Sequence, residues 1–77
     1  MEEKIIGIIE EITGVENLKD KKDIDLLEEV LDSLGFIELI TKLEEEFNIE
    51  IQVTQVSSDT WRSIKKIEEL VKRLKNL

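Results

Sequence analysis

The spacing of aliphatic residues constrains the fold of this chain more than any other feature. Near both ends, isoleucine, leucine and valine recur at steps of three and four residues, which is the spacing of one face of an α-helix. The positions are Ile5, Ile8, Ile9 and Ile12 in the first run and Ile64, Ile67, Leu70, Val71 and Leu74 in the last. Each run therefore predicts an amphipathic helix that buries one face against the rest of the chain.

Local signals mark where the long helices begin and end. The first is predicted over residues 2–13, with acidic residues in its first turn and Gly14 as its stop. The second long helix is predicted to begin at Asp32 or Ser33 and to end near Phe47. In the same way, a serine at position 63 is expected to cap the last helix.

Two connections between these helices are apolar. Residues 15–31 have no sustained period but carry many aliphatic side chains, so we expect this long loop to lie on the core, with a short helical turn at LLEEVL. Residues 49–53 alternate as a strand would, yet one strand without a partner is unstable, which favours an apolar connection with room for a helical turn. The predicted fold is therefore all-α, a small bundle of three long helices and one short helix. Residues 1–77 are expected to form a single domain.

Composition excludes several kinds of function. The chain has no cysteine and no histidine, which excludes disulfides, thiolate metal sites and imidazole bases. The acidic spacing near Asp20 does not fit a calcium loop, because Lys22 occupies a ligand position. Charged residues at the start and the lack of a long apolar run argue against a signal peptide and against membrane insertion. A soluble, cytoplasmic protein without a metal site is expected.

The net charge of −8 is unevenly distributed. Residues 23–50 contain ten acidic side chains and one lysine, whereas residues 63–77 contain five basic and two acidic side chains. Nucleic-acid binding is disfavoured, because neutralising phosphates requires basic residues on the contact face. The acidic middle segment instead favours a basic protein partner.

The second long helix has two apolar faces when its residues are spaced at about 100°. The predicted core face consists of Phe36, Ile40, Leu43 and Phe47, with Leu39 at its flank. A second stripe lies elsewhere on the helix, with Ser33 at its top: Leu34, Ile37 and Thr41, bordered by Glu38, Glu44 and Glu45. Either the stripe packs under the long loop and Ser33 or Asp32 only caps the helix, or the serine is modified and partners dock on the stripe. A helix N-terminus suits an anionic phosphodiester, and Gly35 is expected to leave the approach to the serine clear.

The stretch DSLGFIELITKLEEEF (residues 32–47) resembles the corresponding helix motif of the acyl and peptidyl carrier protein family. The resemblance extends over essentially the whole chain and implies an acyl-carrier-like bundle. It also implies that Ser33 carries 4′-phosphopantetheine from coenzyme A, and that the thiol of this arm holds acyl or aminoacyl groups as thioesters. Such a carrier is not an enzyme and has no catalytic residues of its own. The resemblance implies that a phosphopantetheinyl transferase and acyl-transferring enzymes bind Asp32, Leu34, Ile37, Glu38, Glu44 and Glu45. Thr41 is added to these partner-binding residues because it lies on the same stripe of the helix.

A finer resemblance is to D-alanyl carrier proteins. It rests on DIDLLEEVLDS (residues 23–33), on Gly35 after the DSL triplet, and on Asp59, Trp61 and Ser63 in a D-x-W-x-[ST] pattern. It implies a monomer that is charged with D-alanine by an activating ligase for teichoic acid modification. In physical terms, Trp61 is expected to anchor its loop on the core. Two alternatives remain, a specialised carrier for fatty-acid or polyketide-type synthesis and an acidic interaction module that is never modified.

Overall fold

The computed structural model describes residues 1–21 and 23–76. Its α-helices are α1 (Glu2–Thr13), α2 (Leu26–Glu29), α3 (Ser33–Phe47) and α4 (Ile64–Lys75). Three short 3₁₀ segments lie between them, at Leu18–Asp20, Val53–Gln55 and Ser58–Arg62. No strand occurs in the part of the chain that is described. The predicted all-α bundle of three long helices and one short helix is confirmed.

The helix ends lie where their local signals predict them. Gly14 and Asn48 end α1 and α3 in the left-handed conformation, with φ of 75° and 53°. Ser63 is extended, and its side chain accepts a hydrogen bond from the backbone N–H of Lys66, which caps α4. These ends could be predicted because a cap depends on residues within one turn of each other.

Helices α1 and α3 run antiparallel. Lys4 Nζ, near the start of α1, lies 3.3 Å from Glu46 Oε1, near the end of α3. At the opposite end, the Ile12 side chain lies 3.6 Å from the position that a Cβ on Gly35 would take. The core between the helices is aliphatic apart from two aromatic rings, and it comprises Ile5, Ile6, Ile9, Leu18, Leu26, Leu31, Leu39, Leu43, Phe47, Ile51, Trp61, Ile64, Ile67, Leu70 and Val71.

The buried face of α3 is rotated relative to the prediction. Leu39 and Leu43 are completely buried, whereas Phe36 and Ile40 are only half-buried at the edge of the core. The expectation that Leu39 only flanks the core is therefore wrong. Because α1 and α4 both pack on α3, their positions decide which part of its apolar arc is fully covered.

Both apolar connections lie on the core, as predicted. In the first, Leu18 and Leu26 are completely buried, and the Leu18 N–H donates to Glu10 Oε2 of α1 at 3.1 Å. In the second, Ile51 is buried and Trp61 is 2% exposed. The prediction of a helical turn in this second connection is confirmed, since it contains two 3₁₀ segments.

Candidate functional site

Ser33 is the first residue of α3, and its side chain is exposed. The residue before it, Asp32, is extended and caps the helix, since its Oδ1 accepts a hydrogen bond from the Gly35 N–H at 2.7 Å. Sequence analysis left the cap between Asp32 and Ser33, and the structure assigns it to Asp32. Within the described residues, the Ser33 hydroxyl has no hydrogen-bond partner. It is therefore available for modification.

The position of Ser33 also suits a negatively charged group. The first N–H groups of a helix have no partners within the helix, and the aligned peptide dipoles leave partial positive charge there. In α3, the Asp32 side chain accepts the hydrogen bond of the Gly35 N–H. The backbone N–H groups of Ser33 and Leu34 therefore remain available to a phosphodiester on the serine. The site consequently fits the group that the resemblance implies.

Gly35 has a different role from the one expected. It is buried, and a Cβ there would lie 3.1 Å from Asp32 Oδ1 and 3.6 Å from both Ile12 Cγ2 and Leu31 Cδ2. The residue therefore faces the interior, and the expectation that it clears the approach to Ser33 is wrong. Its missing side chain instead lets the capping carboxylate and the end of α1 approach α3 closely.

The second stripe of α3 is on the surface. Leu34 is 72% exposed and Ile37 is 60% exposed. Thr41 is also exposed, and its hydroxyl donates to the carbonyl of Ile37 at 3.1 Å. The alternative in which this stripe packs under the long loop is thereby wrong. Neighbouring large apolar side chains on a surface are typical of interaction sites.

The four carboxylates around the stripe differ in their surroundings. Asp32, Glu38 and Glu45 are exposed, and none of them makes an ion pair with another described residue. Glu44 is half-buried, and its Oε2 accepts a hydrogen bond from the backbone N–H of Ile51 at 2.8 Å. Its carboxylate thus holds the connection after α3 against that helix. Partner binding by these residues remains a prediction.

Sequence analysis missed an ion pair between Asp25 and Arg62. One oxygen of Asp25 caps α2 by accepting the N–H groups of Leu27 and Glu28, and the other accepts a hydrogen bond from the Arg62 guanidinium. Burial acts to raise the pKa of Asp25, but the hydrogen bonds and the charge of Arg62 outweigh it and hold that pKa below its usual value. The capping pattern before LLEE was visible in the sequence. The ion-pair partner Arg62 could not be predicted, because it lies 37 residues away along the chain.

Trp61 lies in the same 3₁₀ segment as Arg62, Ser58–Arg62, and packs this segment against α3. Its ring is almost completely buried and meets the half-buried ring of Phe36 edge to face, with the centroids 5.4 Å apart and an interplanar angle of 81°. The expected role of Trp61 as an anchor for its loop is confirmed. Because Phe36 lies one turn after Ser33, the aromatic pair belongs to the surroundings of the candidate site.

The conserved-domain model described as the phosphopantetheine attachment site matches residues 3–71. The chain belongs to this family. Relatives with high similarity are the D-alanyl carrier proteins of Streptococcus uberis, at 42% identity over 77 residues covering 99% of this chain and 96% of the relative, and of Streptococcus sanguinis, at 42% over 74 residues covering 95% and 92%. The D-alanyl carrier protein of Enterococcus faecalis is 32% identical over 75 residues, covering 96% of each chain.

Family membership confirms the predicted resemblance to carrier proteins and the predicted cofactor, phosphopantetheine. Two pockets of about 390 Å³ each are lined in part by α4, and neither includes Ser33. None of the helices in residues 1–21 and 23–76 is long and apolar enough to cross a membrane. The attachment residue and the residues that meet partner enzymes are still predictions at this point.

Proposed function

We propose that this protein carries D-alanine as a thioester on a 4′-phosphopantetheine arm attached to Ser33. The observation that carries the proposal is the exposed Ser33 hydroxyl at the first position of α3, inside the segment that matches the family. The cargo is proposed from the relatives, which are named D-alanyl carrier proteins.

Attachment forms a bond between Ser33 Oγ and the phosphorus of the arm, breaks the pyrophosphate bond of coenzyme A, and releases adenosine 3′,5′-bisphosphate together with the hydroxyl proton. The exposed serine accepts the group, and the free N–H groups at the start of α3 stabilise the charge of the phosphodiester. When bound, the arm supplies the thiol that this cysteine-free chain lacks. The protein is a substrate of its partner enzymes, which carry out the catalysis.

The partners that we propose are a phosphopantetheinyl transferase and a D-alanine-activating ligase, both docking on the exposed stripe of α3. Leu34 and Ile37 would provide the apolar contact, and Glu38 and Glu45 would attract basic side chains and speed the encounter. Residues 1–77 would act as one monomeric carrier domain in the cytoplasm, supplying D-alanine for teichoic acid modification.

Intact mass spectrometry after incubation with coenzyme A and a promiscuous phosphopantetheinyl transferase tests the attachment. The wild-type protein should gain the mass of one phosphopantetheine, and Ser33→Ala should gain none. Ser58→Ala is the matched control, because it removes another exposed serine hydroxyl. An unmodified wild type would refute the carrier function and favour the plain interaction module. A modified Ser33→Ala would refute the site.

The cargo is tested on the phosphopantetheinylated protein with ATP and a D-alanine-activating ligase. A D-alanyl mass increment that mild hydroxylamine removes is expected for a thioester. Charging by a fatty-acyl enzyme alone would contradict D-alanine as cargo and favour the specialised acyl carrier.

A further inference from the structure

The turn that leads into Ser33 is fixed by the short helix before it. Residues 30–32 connect α2 to Ser33. The backbone N–H groups of Val30 and Leu31 both donate to the carbonyl of Leu26, at 3.1 Å and 2.7 Å. Leu26 is completely buried, and Leu31 is 7% exposed. Because these bonds join the turn to the first residue of α2, the position of α2 determines where the turn places the serine.

Helix α2 needs contacts from outside to stay formed. It has four residues, and a helix of this length is not stable in water by itself. Its start is held by Asp25, whose Oδ1 accepts the N–H groups of Leu27 and Glu28 at 3.1 Å and 3.3 Å. The Oδ2 of the same carboxylate accepts a hydrogen bond from the Arg62 guanidinium, 37 residues along the chain. The ion pair consequently fixes the carboxylate that caps α2.

The 3₁₀ segment Ser58–Arg62 contacts both sides of the turn. Arg62 reaches α2, on the side before the serine, through Asp25. The neighbouring Trp61 is buried and meets the ring of Phe36, which lies one turn after the serine. Along the chain, the serine therefore lies between two points that one segment holds, and loss of either contact frees one side of it.

We propose that Arg62 is a positioning residue for the modification of Ser33. Through Asp25 it holds α2, and through the carbonyl of Leu26 it holds the turn before the serine in the conformation that the transferase binds. The inference rests on the proposed attachment at Ser33 and adds to it a residue outside the stripe of α3. Without the ion pair the turn adopts other conformations as well, and the apparent affinity of the transferase falls in proportion to the binding-competent fraction.

The charges around Arg62 distinguish positioning from a direct contact with the enzyme. The guanidinium is bonded to Asp25, and its Nε lies 3.8 Å from Asp59 Oδ1. The exposed carboxylates of Glu38 and Glu45 on α3 are proposed to attract basic side chains of the enzyme. Removing a positive charge from a carrier of net charge −8 strengthens its negative potential and should speed the approach of a basic enzyme. Loss of positioning has the opposite sign, because it weakens binding.

The first test measures the steady-state rate of phosphopantetheine transfer from coenzyme A, with the carrier as the varied substrate. Arg62→Gln should raise KM about threefold or more and leave kcat unchanged, which corresponds to a competent fraction of about one third. Asp25→Asn should also raise KM, and the double variant should be no worse than the poorer single variant, because both changes remove the same ion pair. Arg62→Lys should raise KM less than Arg62→Gln, since it keeps a positive charge beside Asp25.

Arg73→Gln is the matched control. It removes an exposed guanidinium from the last turn of α4 that makes no ion pair with another described residue, and it should not raise KM. A KM for Arg62→Gln that stays at the wild-type value, or falls as charge steering predicts, would refute the positioning role. Additive effects of the changes at Arg62 and Asp25 would refute the route through their ion pair.

Amide hydrogen exchange followed by NMR tests the same route without any enzyme. The N–H groups of Val30 and Leu31 should exchange several-fold faster in Arg62→Gln than in the wild type, because the turn opens more often. Amides in the middle of α1, such as that of Ile9, should keep their rates. Unchanged exchange in the turn would overturn the coupling between Arg62 and the turn before the serine.

Intact mass separates this inference from the proposed function. A wild-type protein that takes up no phosphopantetheine would refute the attachment at Ser33 and, with it, the role of Arg62 in loading. A wild-type protein that is modified, with the same KM as Arg62→Gln, would refute only the positioning role.

Discussion

Helix α3 carries leucine on both of its faces, which allows the division between core and docking surface to be tested with one type of substitution. Leu43 is completely buried, and Leu34 is 72% exposed on the same helix. Leu43→Ala should lower the free energy of unfolding by about 2–5 kcal/mol, because it removes buried methyl groups and leaves a cavity. Leu34→Ala should change it by less than about 0.5 kcal/mol, because no cavity forms.

The loss of stability expected for Leu43→Ala is large relative to the total free energy of unfolding. A domain of 77 residues has a free energy of unfolding of about 4–12 kcal/mol, so one substitution removes a substantial part of it. At about 4–8 °C for each kcal/mol, the melting temperature should fall by at least about 8 °C. Urea unfolding followed by circular dichroism should show a midpoint lower by at least about 2 M for a denaturant slope of about 1 kcal/mol/M.

The two leucine variants also differ in their expected effect on loading. Leu34→Ala should slow modification of Ser33 by the transferase while its melting temperature stays near that of the wild type. A loss of 2 kcal/mol or more at Leu34 would mean that the stripe is packed. Equal losses at Leu34 and Leu43 would refute the division of α3 into two faces.

Three further predictions concern charged residues. Asp32→Ala should lower the free energy of unfolding by about 1 kcal/mol through loss of the α3 cap, whereas Asp32→Asn should keep most of this stability. Equal losses for the two variants in urea unfolding would contradict the role of Asp32 as a cap. Because the folded pKa of Asp25 is lowered, its pairing with Arg62 stabilises the protein above about pH 4, and this contribution is lost as the pH falls through the folded pKa. Asp25→Asn should therefore be less stable than wild type at pH 7 and approach it at low pH, and a difference that does not depend on pH would exclude the ion pair as its cause. Replacing both Glu38 and Glu45 with lysine should slow loading with little change in melting, and a large loss of stability would show that these residues are structural.

Elements set by neighbouring residues were predictable. The end of α1 was predicted from Gly14, which adopts the left-handed conformation and whose N–H donates to a carbonyl one turn earlier. The end of α3 near Phe47 was also predicted, and Asn48 ends that helix in the same conformation. The start of α4 follows from the cap at Ser63 in the same way. The candidate attachment residue was also predictable, because Ser33 lies in a short motif whose resemblance to carrier proteins needs no tertiary information.

Features that join distant residues were not predictable. The sequence displays Asp25 as a helix cap, but only the packing of α2 against the 3₁₀ segment brings Arg62 to its second oxygen. Glu44 has the same periodicity as an exposed carboxylate, yet it turns back to the N–H of Ile51 once the chain after α3 lies alongside the helix. The sequence suggests that Gly35 leaves the approach to Ser33 clear, and only its closeness to Ile12 reveals that it faces inward.

The sequence by itself determined that the chain forms three long helices, where α1 ends and α4 begins, and that α3 begins at Asp32 or Ser33, because helical periodicity and caps depend on residues within a few positions of each other. Tertiary structure decided how α3 is rotated. A helical pattern defines the relative angles of side chains but not the direction from which other elements cover them. The positions of α1 and α4 thus bury Leu39 completely and leave Phe36 at the edge, where the ring of Trp61 reaches it.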